Sequence, residues 1–234
     1  MKGSLVSWHK VSFIWAEIQK FIESEEKENY MNNYFLLFLC SIPGLLIATT
    51  MHEFTRAAAS TAFGDEFPKN SGRLTLNPIK HFEPIGFLLL FYSGGFGWGK
   101  PVETSGLYYK NRKRDTLLVA ILPSVINLLL GMVFLGLYVN IGTMMHPYVS
   151  LILYYVCYYN VGIAVYNILP VAPMDCVKVL SVLLPANKYY TYLQYEKMIQ
   201  VIFLFLLFLG FFTGIFQAII TGVIQVLGSL LFIL

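Results

Sequence analysis

Residues 51–56 read Met51-His52-Glu53-Phe54-Thr55-Arg56, and the rest of the chain is best read outward from them. A histidine followed directly by glutamate is the first half of the pattern H-E-x-x-H. On a helix that pattern sets two imidazoles one turn apart, with the carboxylate placed to act as a general base beside a metal. His52 and Glu53 satisfy the first two positions; the second imidazole is replaced by Arg56. A guanidinium keeps its proton and has no lone pair to give a metal.

The chain around this motif is built for lipid. Of its 234 residues, 57% are hydrophobic and 12% charged, against about 25% charged in soluble domains. The mean hydropathy is +0.64. The net charge of +3 is scattered, which gives no face for nucleic acid. Cys40, Cys157 and Cys176 are far apart and make no disulfide framework.

Met1 to Tyr30 contains five glutamates and no apolar core of a signal peptide. Leu5, Trp8, Val11, Trp15, Ile18 and Ile22 recur at helical steps, so residues 1–30 are expected to form an amphipathic helix, on the membrane interface or on the protein's own face. Residues 31–234 are expected to form one all-α polytopic membrane domain of roughly five or six segments.

The first segment runs from about Tyr34 to Phe63, interrupted at Pro43-Gly44. Arg73 to Leu76 alternates as a short strand would, while Gly72-Arg73 with Asn77-Pro78 suits a turn at the membrane surface. Pro84 to Trp98 is apolar, short and glycine-laden, a tight span or a re-entrant segment. The run Lys110 to Arg114 marks the cytoplasmic side by the positive-inside rule. Thr116–Ile141 and Pro147–Leu169 are further spans; the latter breaks at Pro170 and Pro173 before resuming near Asp175. Lys188 and Lys197 mark a second cytoplasmic loop, and Met198 to Leu234 suits two helices folded near Gly210 or Gly214.

Ordered blocks from Pro43 to Pro185 resemble the site-2 proteases, the intramembrane zinc metalloprotease family. Beyond His52-Glu53 they are Gly64-Asp65, Gly72 to Pro78, His81 to Gly86, Phe96 to Val102, Asn127 to Leu130 and Asn167 to Asp175. The resemblance implies that His52 and Asp175 are zinc ligands and Glu53 is the general base. It also implies that Asn167, Pro170 and Pro173 shape a loop facing a transmembrane protein substrate. Arg56 departs from the pattern at the second histidine, and Cys176 departs where the family has glycine.

Two ligands fall short of the three that catalytic zinc requires. Without metal, buried Glu53 and Asp175 would lack a counter-charge. Arg56 shares the helix face of Glu53, so its guanidinium is expected to bond both carboxylates and to replace the charge of the metal. The leading expectation is a catalytically impaired or inactive homologue that still binds a transmembrane partner. The alternative is an active protease with an atypical ligand set, Cys176 being one conceivable rescue ligand. A small transporter using the charged cluster is a third class, though no repeated halves support it. A multi-pass location in a prokaryotic plasma membrane follows from the resemblance.

Overall fold

The computed structural model describes residues 30–93 and 96–231, which are helix and turn throughout, without a strand. The amphipathic helix expected over residues 1–30 falls outside that range except for Tyr30. The order is α1 (Tyr30–Ala62), α2 (Phe67–Asn70), α3 (Pro78–His81), α4 (Pro84–Tyr92), α5 (Arg112–Ile141), α6 (Pro147–Tyr166), α7 (Cys176–Leu183), α8 (Ala186–Phe208) and α9 (Thr213–Leu231). Four of these carry stretches long and apolar enough to cross a membrane: Phe35–Ala62, Arg112–Ile141, Pro147–Tyr166 and Thr213–Leu231.

Helix α1 is continuous through Pro43, contrary to the interruption expected there. Packing is the reason the chain stays helical. A Cβ on Gly44 would stand 2.7 Å from the backbone of Tyr155, so α1 and α6 touch main chain to main chain. Across α5, buried Asn127 donates through Nδ2 to the Ala48 carbonyl at 3.0 Å. These three helices form the centre of the bundle.

The other apolar stretches take different forms. α4 has nine residues, about 14 Å of helix against a hydrocarbon core of about 30 Å. The chain then doubles back against it: Cβ atoms on Gly86 and Gly97 would lie 2.1 Å from the Trp98 and Gly86 carbonyl oxygens. This is the re-entrant alternative rather than the tight span. Phe96 anchors it, buried against Tyr166 at 5.1 Å, Phe203 at 5.1 Å and Phe216 at 6.0 Å between ring centroids. α8 begins polar and ends apolar, so Lys188 and Lys197 lie on a helix and not in the loop expected for them. The fold-back before α9 falls at Gly210, whose φ of +78° suits glycine.

Arg73–Leu76 is a bend in irregular chain that follows a turn at Ser71-Gly72, and not the short strand its alternation suggests. No neighbouring strand offers a ladder. Instead the Arg73 guanidinium donates to the Lys100 carbonyl at 2.6 Å. His81 Nε2–H donates to the Thr75 carbonyl at 2.7 Å, and burial pushes that imidazole below its ordinary value.

Gly97→Ala is expected to cost about 1–3 kcal/mol by overpacking and to red-shift the fluorescence of adjacent Trp98. Gly214→Ala, where a Cβ meets nothing within 4 Å, is expected to leave the unfolding midpoint unchanged or slightly raised.

Candidate functional site

The sixth residue of the opening motif reaches furthest into the site. On α1, His52, Glu53 and Arg56 share a face by their spacing of three and four residues. All three are buried, at 3%, 2% and 2% exposure, so Arg56 points into the bundle and not toward lipid headgroups. Asp175 comes from the far end of the fold, the residue before α7, and is equally buried.

Arg56 connects the two carboxylates. Its Nη2 donates to Asp175 Oδ1 at 2.6 Å and its Nη1 donates to Glu53 Oε2 at 3.0 Å. His52 Nε2 lies 2.9 Å from Asp175 Oδ2 and 3.3 Å from Arg56 Nη2. Asp175 can only accept and Arg56 can only donate. The shorter contact assigns the hydrogen to Nε2, donated to Asp175, and leaves Nδ1 without a partner among the described residues. Burial alone would push the Asp175 carboxyl up; the Arg56 guanidinium, with His52, holds it well below the usual carboxylate range.

Two further segments complete the cluster. Glu53 Oε2 also accepts from the Val102 backbone N–H at 2.8 Å, delivered by the chain leaving the re-entrant hairpin. Gly99 lets that chain pass close, since a Cβ there would stand 3.3 Å from Glu53 Cγ. On the other side, Asn167 caps the loop before α7. Its Oδ1 accepts from the Asp175 N–H at 3.0 Å while its Nδ2 donates to the Ile163 carbonyl at 2.9 Å. Its own carbonyl accepts from Cys176 N–H at 3.0 Å. Pro170 is exposed and its carbonyl accepts from Tyr192 Oη at 3.1 Å; Pro173 is half-buried within the loop.

Sequence reasoning missed two members of this neighbourhood. Val102 contributes only a backbone N–H, which no side-chain pattern reveals. Lys178, one turn after Asp175, donates through Nζ to Thr104 Oγ1 at 3.0 Å. Burial, with the Arg56 charge nearby, pulls its ammonium down to about 8. The helical offset of three from Asp175 was the available signal for Lys178.

The residues present do not fit zinc. Nε2 of His52 is spent as a donor, Asp175 is taken by a guanidinium at 2.6 Å, and that cation stands where a third ligand belongs. No group of three histidine, cysteine or carboxylate residues suited to a metal exists among the described residues. Cys176 is partly exposed and does not complete such a set. The arrangement does one thing well, which is to neutralise and hold two buried carboxylates.

Asn167→Ala is expected to leave the Asp175 N–H unsatisfied and to cost about 1–3 kcal/mol in unfolding free energy, read by chemical denaturation in detergent.

This chain is 32% identical over 173 residues to a Bacillus subtilis protein named "Putative zinc metalloprotease YwhC", covering 69% of this chain and 77% of that protein. It is 28% identical over 148 residues to Rip2 of Mycolicibacterium smegmatis, named in the same words, covering 61% of this chain and 56% of that protein. Rip2 of Mycobacterium tuberculosis (H37Rv) is 27% identical over 143 residues, 59% of this chain and 55% of that protein. No protein-family model matches the chain, and no solved structure matches it.

Proposed function

The chain belongs to the site-2-protease-like zinc metalloprotease family, and from that premise we propose that it is a member without a working metal centre, which holds a transmembrane protein partner without cleaving it. One observation carries this reading. The Arg56 guanidinium reaches Asp175 at 2.6 Å and Glu53 at 3.0 Å, and so supplies the positive charge that a metal would supply to both carboxylates. Hydrolysis in this family's manner needs a metal-bound water and a carboxylate facing it. Here Glu53 Oε2 already accepts from Arg56 and from Val102.

The retained loop supports the partner-binding half of the reading. Asn167 holds Asp175 and the start of α7 in place, and the loop presents Ile168, 71% exposed, to its surroundings. The bilayer is the setting of that encounter, through the four apolar helices.

The test compares the native chain with Arg56→His, each purified with and without Glu53→Gln. Zinc is measured by plasma mass spectrometry and cleavage by a transmembrane reporter. The native chain is expected to hold no stoichiometric zinc and to leave the reporter intact. Arg56→His is expected to take up about one zinc per chain, as three protein ligands allow. Stoichiometric zinc in the native chain, or cleavage lost on Glu53→Gln, would instead establish an active protease with an atypical ligand set.

A further inference from the structure

A second charged site lies beside the first and is of opposite character. Where α5 begins, a cavity of about 750 Å³ opens between that helix, α7 and the start of α8. Three cations line it, Arg112, Lys113 and Lys178, and no carboxylate does. None of the three forms an ion pair among the described residues; the ion-paired cations there are Arg56, Lys69, Arg114 and the histidine of the Arg56 cluster. Lys178 is half-buried and, among the described residues, its ammonium bonds to a neutral hydroxyl, that of Thr104. Burying an ammonium without an anion is unfavourable, and two more cations at the same opening add to the repulsion.

The carboxylates that act on Lys178 from within the fold, Asp175 and Glu53, are already paired with Arg56, and those near the mouth of the cavity are engaged elsewhere. Asp115, in the first turn of α5, accepts from Arg114 Nε at 2.8 Å and from the Asn111 N–H at 2.9 Å. Glu103 lines a separate cavity with Asp65 and Glu66. The basic cavity also carries Tyr109 and Tyr189, with an apolar flank of Val119, Val182 and Leu193. Cations, phenols and an apolar wall at one opening match an anion that is attached to something greasy.

We propose that this cavity binds a phosphate group, carried by the headgroup of an anionic phospholipid, between Arg112, Lys113 and Lys178. Arg112 offers the planar fork that suits phosphate oxygens, and the lysines act as point charges. The aliphatic flank takes the glycerol and the first acyl carbons. The position suits a lipid, because α5 is long and apolar enough to cross a membrane, and a crossing would bring its basic first turn to the interface. The occupant would supply an anion at contact distance of Lys178, whose nearby carboxylates Asp175 and Glu53 are taken up by Arg56.

The experiment uses the full chain in a neutral detergent, with phosphatidylglycerol, phosphatidylcholine or inorganic phosphate added and bound species counted by native mass spectrometry. The native chain is expected to retain phosphatidylglycerol in preference to phosphatidylcholine. Arg112→Gln/Lys113→Gln, which changes only exposed side chains, is expected to weaken retention at least about tenfold, the size of one lost charge-assisted bond. Adding Lys178→Gln should weaken it further. Lys110→Gln/Arg114→Gln removes the same charge from the same basic run but not from the cavity, and is expected to leave retention unchanged. Equal losses in the two double variants would overturn the site in favour of diffuse surface attraction. So would the absence of any preference for phosphatidylglycerol together with no phosphate binding. Inorganic phosphate bound with the same variant dependence, and no lipid preference, would keep the phosphate site and assign it to a soluble phosphate.

Discussion

Two carboxylates sit inside a helical bundle, and the surrounding structure depends on how their charge is met. Glu53 and Asp175 are 2% exposed. Carboxylates so placed are costly unless a cation or several hydrogen-bond donors meet their charge. Arg56 reaches both because it stands three residues from Glu53 on the same helix and opposite Asp175 across the bundle. A point charge could sit near either carboxylate; the fork of a guanidinium spans them with separate nitrogens.

Much of the fold can be understood as what brings those groups together. The main-chain approach at Gly44 and the Asn127 bond to Ala48 fix α1 among its neighbours. The re-entrant hairpin, anchored by Phe96 in an aromatic cluster, sends Val102 past Glu53. Asn167 turns the chain at the end of α6 so that Asp175 faces α1. At the end of α1, Asp65 accepts from Ser60 and from the Ser105 N–H, which ties that helix to the approach to α5. Asp65, Phe96, Val102, Asn127 and Asn167 thus each have a mechanical role in holding the cluster together.

The residues that meet at the site were legible in the sequence because they are charged in an apolar chain, and because helical spacing puts His52, Glu53 and Arg56 on one face. The re-entrant segment was legible as one of two forms, since its glycines permit close approach but do not say against what. The uninterrupted course of α1 through Pro43 was not legible, because local propensity disfavours it and tertiary packing overrides it. The strand form suggested by Arg73–Leu76 failed for a related reason: alternation is satisfied equally by a bend whose arginine bonds a neighbouring carbonyl. Val102 and the basic cavity were hidden because a backbone N–H and a juxtaposition of three helices leave no local pattern.

The stability of a charge-removal series tests the central claim most directly. Arg56→Met alone should cost about 3–5 kcal/mol, as expected when one partner of a buried ion cluster is removed. Combining it with Glu53→Gln and Asp175→Asn should recover most of that loss, because the stranded carboxylates disappear with the cation. An Arg56→Met chain as stable as the native one would contradict the account, as would a triple variant no more stable than the single.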